Sequence, residues 1–212
     1  MSTPTPSLTR LDAPGTPRAV ILMLHGGKPR STDPVENLSA SWQRSAWMAR
    51  SIAGRAHDAD TCVWLLRYRE RGWNGGRDRT ADTRWALDEV RAAHGDVPVV
   101  LLGHSMGARV AVHVADDDSV TGVVALAPWW ADTDPVRTLA GRSLVAAHGR
   151  RDRITSFGHT RRFVERARAV TAHAELVDMG MLGHYMLGRP DRWNDVAIES
   201  SLRLLTPARS AD

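Results

Sequence analysis

The chain has 212 residues, 42 % of them apolar and 25 % charged, with a formal net charge of +4. These proportions are those of one ordinary globular domain, and no apolar run approaches the roughly 20 residues that a membrane-spanning helix needs. The basic residues are nearly all arginine and are interleaved with acids, as over 67–79 and 161–168, which reads as solvated surface and against a nucleic-acid partner.

Residues 1–17 are rich in Pro, Ser and Thr and lack the apolar core of a signal peptide. They are expected to form a flexible segment ahead of a single domain over 18–206, with 207–212 as a tail, in a cytoplasmic protein. The first apolar run, 19–24, predicts a buried strand that ends at His25-Gly26-Gly27. A loop follows over 28–34. Trp42, Ala46, Ala49 and Ala53 then recur near helical spacing, which predicts a helix over about 35–55. A second strand is expected over 61–66. It carries the single cysteine, Cys62, as a buried residue, so no intramolecular disulfide forms and a cysteine-based metal cluster is not expected. The polar loop 67–78 contains Arg67, Arg69 and Arg71, which could attract an anion but read better as solvated.

Further along, a helix is predicted over 80–93, with Trp85, Leu87 and Val90 in its buried stripe, and a third strand over 97–102. A helix follows over 106–115, a fourth strand over 120–126 and a fifth over 143–148. The last elements are a helix over 155–170, a sixth strand over 174–177 and a helix over 193–205. Strands alternating with helices imply crossover connections, and near-continuous apolar strands imply burial on both faces. The fold class expected is therefore α/β: a three-layer sandwich with a mostly parallel sheet of about six strands.

Ligands of such sheets bind beyond the carboxyl ends of the strands, so the polar residues that follow strands are the chemical candidates. The most informative is Gly103-His104-Ser105-Met106-Gly107, which joins the third strand to a helix. Glycines on both flanks tolerate a sharp turn, the serine stands at its apex, and a helix N-terminus beside it favours negative charge. Ser105 is the candidate nucleophile. A serine hydroxyl needs a base to take its proton. Of nine histidines, His184 lies in a late loop beyond the last strand and is the candidate base. His25 and His148 read as structural, and His104 as pointing away from its neighbour Ser105. Asp152, in His148-Gly149-Arg150-Arg151-Asp152, is the candidate acid, with Asp134 and Asp132 in reserve. The N–H groups of Met106 and Gly27 are the candidate oxyanion donors. Trp73, Trp129, Trp130 and Tyr185 are candidate substrate contacts in an apolar pocket.

The order Ser105, Asp152, His184, with the Gly149-x-x-Asp152 and Gly183-His184 loops, resembles the α/β-hydrolase-fold serine hydrolases from about residue 18 to 205. Only sixteen residues separate Leu126 from Ser143, so the resemblance is to a minimal, capless type whose first two strands are expected to be missing. The oxyanion segment has two glycines followed by Lys28, unlike the longer glycine run of some lipases and esterases. The resemblance implies hydrolysis of carboxylic esters or thioesters through an acyl-enzyme, on a small-molecule acyl substrate and with no cofactor or metal. An amidase, peptidase or acyltransferase on the same fold, and a non-catalytic binding protein that keeps it, remain as alternatives. Oligomeric state is not legible.

Overall fold

The computed structural model describes residues 4–206. A seven-stranded sheet forms its centre: β1 (Ser7–Leu11), β2 (Ala19–Leu24), β3 (Thr61–Arg67), β4 (Val99–His104), β5 (Val120–Leu126), β6 (Ser143–His148) and β7 (His173–Asp178). Its order is β1-β3-β2-β4-β5-β6-β7, with every pair parallel except β1 with β3. Helices α1 (Ala40–His57) and α5 (Pro190–Leu205) pack together on one face. On the other lie α2 (Arg77–His94) and α3 (Met106–Val114), while α4 (Phe157–Ala167) packs on β6 and β7. This is the expected three-layer α/β architecture.

The middle strands have no solvent face. Every residue of β2 and β4 is buried, and each Val, Leu or Ile removed from water this way contributes on the order of 1.5–3 kcal/mol. That explains the unbroken apolar runs, whereas an antiparallel sheet open on one side would alternate.

The expectation of a flexible segment over 1–17 is corrected in part. Within it, Ser7–Leu11 is an antiparallel edge strand on β3, which makes the sheet seven-stranded. Leu8 and Leu11 pack against the core, Arg10 lies 4.3 Å over the Trp64 ring, and the Trp64 indole N–H donates to Asp12 at 2.7 Å. Pro, Ser and Thr content does not report such tertiary contacts. Residues 1–3 of the segment and the expected tail 207–212 lie outside the described residues. The first helix starts at Ala40 rather than near 35, because Pro34 bridges to Glu70 and Val35 is buried ahead of the helix. Among the described residues no helix is long and apolar enough to cross a membrane.

Sheet order and register locate the functional edge. After β2 the chain goes to β3 on one side, then returns to β4 on the other. Loops leaving β2 and β4 therefore part in opposite directions and leave a crevice between them, the preferred ligand position in an open parallel sheet. Leu24 is paired with Gly103. Just beyond, Gly26 lies against the His104 ring and the Ser105 side chain.

Candidate active site

Ser105 is the N-cap of α3 and holds φ +53° and ψ −113°, a region that costs a non-glycine residue on the order of 1–3 kcal/mol. Its neighbours explain how the strain persists. The backbone of Ala108 folds back against Gly103, and the Leu24 carbonyl lies where a side chain on Gly107 would stand. Both glycines are needed for helix and sheet to approach this closely.

Three segments far apart in sequence converge on Ser105. Its hydroxyl lies 3.1 Å from His184 Nε2, and His184 Nδ1 lies 2.8 Å from Asp152 Oδ2. The carboxylate accepts from Nδ1–H, so Nε2 is free to accept the serine proton. Asp152 is held from several sides: Oδ1 accepts the N–H groups of Ile154 and Thr155, both at 2.8 Å, and Oδ2 accepts the Thr155 hydroxyl at 2.8 Å. His148 Nε2 also lies 3.2 Å from Oδ2. Burial alone would raise the Asp152 carboxyl. Hydrogen bonds from His148, His184 and the two amides outweigh it and hold the group well below the usual carboxylate range.

His184 is fixed by its surroundings as well. His104 Nε2–H donates to the His184 carbonyl at 3.1 Å, while Arg44 reaches down from α1 to the carbonyls of Tyr185 and Met186. Met186 holds φ +57° in this loop. Burial, with the nearby His184 second, pushes His104 down to about 3, so it is neutral and donates from one nitrogen only. Adjacency in a tight turn does separate the His104 ring from the Ser105 hydroxyl, yet His104 supports the His184 backbone from behind. Sequence reading took His148 as structural but not as a partner of Asp152, and it missed the supporting contacts of His104 and Arg44. Their only local signal is that His104 lies inside the elbow and His148 begins the Gly149-x-x-Asp152 loop.

Of the candidate oxyanion donors, neither Gly27 N–H nor Met106 N–H has a hydrogen-bond partner among the described residues. His25 sets the direction of the first. It is fully buried and pushed down to about 4, chiefly by that burial and against the raising effect of its bond to Gly26. Its Nε2 accepts the Tyr68 N–H at 3.3 Å, so Nδ1–H donates to the Gly26 carbonyl at 2.6 Å. In a trans peptide the C=O and N–H point opposite ways. Binding the Gly26 carbonyl therefore turns the Gly27 N–H to the other side. A side chain on Gly27 would collide with the Arg71 carbonyl and the Met106 side chain.

The reserve acids lie elsewhere. Asp134 is buried and bound by Arg109 Nε at 2.9 Å and His113 Nε2 at 3.0 Å, and Asp132 pairs with Arg162 on the surface. Of the loop arginines, Arg69 is bound to the buried Asp82 at 2.6 Å, while Arg67 stacks on Trp42 and donates to Asn37.

The four candidate contact residues divide. Trp73 and Trp129 form walls of a cleft of about 1010 Å³ beside the elbow. Tyr185 is exposed, its ring edge-on to His184 at 5.4 Å. The expectation for Trp130 is corrected: it is only 3 % exposed, stacks on Phe163 at 4.1 Å and donates its indole N–H to the Ala108 carbonyl.

Similar backbones occur among solved structures. An α/β serine hydrolase homologue from Coxiella burnetii superposes with a TM-score of 0.70 at 16 % identity, covering 92 % of this chain and 91 % of that one. Est1E from Butyrivibrio proteoclasticus, solved with ferulic acid bound, gives 0.71 at 9 % identity over 94 % and 95 %. XC6422 from Xanthomonas campestris, a serine hydrolase without lid, gives 0.68 at 19 % identity over 96 % of both chains. No curated protein matches the sequence significantly. The sequence model of the α/β hydrolase fold matches residues 20–177, from the first core strand to the last. The chain belongs to the α/β hydrolase fold family.

Proposed function

We propose that this hydrolase-fold protein is a serine hydrolase of carboxylic esters or thioesters that works through an acyl-enzyme. The observation that carries the reading is the relay from Ser105 Oγ to His184 Nε2 at 3.1 Å and from His184 Nδ1 to Asp152 at 2.8 Å. Ser105 Oγ attacks the acyl carbonyl while His184 Nε2 takes its proton. The imidazolium is stabilised by Asp152, which stays ionised. Charge on the carbonyl oxygen is met by the N–H groups of Gly27 and Met106; loss of one such donor typically costs 100- to 1,000-fold in rate, to order of magnitude. His184 then gives its proton to the departing alcohol or thiol. Water, deprotonated by the same nitrogen, releases the acid and restores Ser105.

Esterase and lipase neighbours of the same fold lend support: Est1E, and a monoacylglycerol lipase from Paleococcus ferrophilus with a TM-score of 0.66 at 14 % identity. The absence of a sizeable segment between β5 and β6 suits substrates that need no cap for their recognition. The test is fluorophosphonate labelling with Ser105→Ala as control, followed by a panel of activated esters and thioesters. Labelling of the wild type alone is expected. An unlabelled wild type, or a Ser105→Ala variant as active as wild type, would overturn the reading.

A further inference from the structure

We propose that the cleft beside Ser105 binds a carboxylate carried by the substrate, and that Arg109, assisted by Arg30, selects for it. This rests on the serine hydrolase reading above and narrows it to acidic esters or thioesters.

The walls of the cleft are tied to the backbone of the elbow and of the segment after β2. The N–H groups of Trp129 and Arg109 both donate to the Ser105 carbonyl, at 3.2 and 3.3 Å. On the opposite wall, the Trp73 N–H donates to the Lys28 carbonyl at 2.8 Å, next to the oxyanion segment. Arg30, Ser31, Asn74 and Arg109 supply polar groups between the two tryptophans, and no aspartate or glutamate lines the cleft. Ser31 Oγ already donates to Asp33, and Asn74 Nδ2 to the Ser31 carbonyl and Glu70, so a substrate group seated here meets chiefly the cations Arg30 and Arg109 on the wall.

Arg109 is held in one orientation. Its guanidinium lies 4.6 Å from the Trp73 ring centre and 4.9 Å from that of Trp129, and Nε donates to Asp134 at 2.9 Å. The side chain is 14 % exposed. Among the described residues Nη1 and Nη2 make no hydrogen bond. Arg166, a structural arginine in this fold, behaves otherwise: it donates Nη1 and Nη2 to the carbonyls of Asp132 and Asp134. Asp134 offsets part of the Arg109 charge, but it also takes the Ala131 N–H and His113 Nε2 and lies behind the guanidinium. What is left is a planar fork of two donors, the shape that matches a carboxylate. The two indole rings hold the guanidinium plane in place.

The experiment compares two activated esters of equal chain length, mono-4-nitrophenyl adipate and 4-nitrophenyl hexanoate, each corrected for its enzyme-free rate. In the wild type at low salt, kcat/KM is expected to be roughly tenfold or more higher for the adipate, the scale of a hydrogen bond to a charged group. Raising the salt to about 1 M should shrink that ratio, because part of it is screened. Arg109→Met should bring the ratio to about one, whatever it does to both rates, since the ratio is internally controlled. Should Arg109→Met fail to fold, Arg30→Ala in the exposed loop must still lower the ratio. A wild-type ratio at or below one, with the hexanoate hydrolysed normally, overturns this inference and leaves the hydrolase reading intact. Hydrolysis of neither ester, with no labelling of Ser105 by fluorophosphonate, overturns both.

Discussion

His148 and His184 meet at the same oxygen of Asp152, at 3.2 and 2.8 Å. One ring comes from the end of β6 and the other from the loop after β7, so the carboxylate ties together two strands as well as orienting the His184 ring. Asp152→Asn would put an amide where Nδ1–H and Nε2–H both need an acceptor. We expect kcat on an activated ester to fall by about 10⁴-fold, the scale of a lost tautomer control. A fall of less than about tenfold would place the acid elsewhere.

His148 gives a second test, with a stability readout. His148→Asn removes a donor to a buried anion, which should cost about 1.5–3 kcal/mol of unfolding free energy in urea. Asp152 sits below its ordinary value of 3.8, so its stabilising contribution is full above that value and is lost as pH falls through the lower folded one. Without His148 the folded value rises, and the loss begins at higher pH. An unchanged urea midpoint at both pH 7 and pH 4.5 would contradict this.

Ser105 holds φ +53°. Glycine accepts that conformation without strain, so Ser105→Gly should abolish ester turnover while raising stability by about 1 kcal/mol, less the added freedom of the unfolded glycine. Thermal denaturation checks it. A lower melting temperature would mean that the elbow is unstrained.

Gly27→Ala tests the oxyanion segment. The added methyl collides with the Arg71 carbonyl and Met106, displacing the Gly27 N–H. We expect kcat to fall by about 100- to 1,000-fold, while Ser105 still reacts with a fluorophosphonate, though more slowly. Full activity would remove Gly27 from the oxyanion position.

Buried neutral histidines make the fold acid-sensitive. His25 and His104 sit near 4 and 3, below their ordinary value of 6.5. Between pH 6.5 and 4 the unfolded chain takes up protons that the folded chain refuses. Stability therefore falls as pH falls, by up to about 1.4 kcal/mol per pH unit for each histidine. Urea denaturation at pH 7.5, 6 and 5 should show a loss of about 2–4 kcal/mol over that range. A flat profile would show that these rings can be protonated in place.

Much of this architecture is local. Unbroken apolar runs identify the parallel strands, because a strand covered on both faces must be apolar throughout. The elbow is legible in five residues, since glycines must flank a backbone that strand and helix crowd from both sides. His184 and Asp152 follow from their place after strands, where a parallel sheet puts its ligands.

Other features depend on partners distant in sequence. The edge strand β1 exists by pairing with β3, more than fifty residues further on, and its composition resembles a linker. Trp129 and Trp130 are identical in type and adjacent; only the position of Phe163 and Ala108 decides which one is core. His104, His148 and Arg44 earn their roles from groups that the register of the sheet and the packing of α1 bring to them. The chain specifies locally which residues can do chemistry, because turn geometry and burial pattern act over a few residues. Which of them share a hydrogen bond is decided by long-range packing, which no short stretch of sequence encodes.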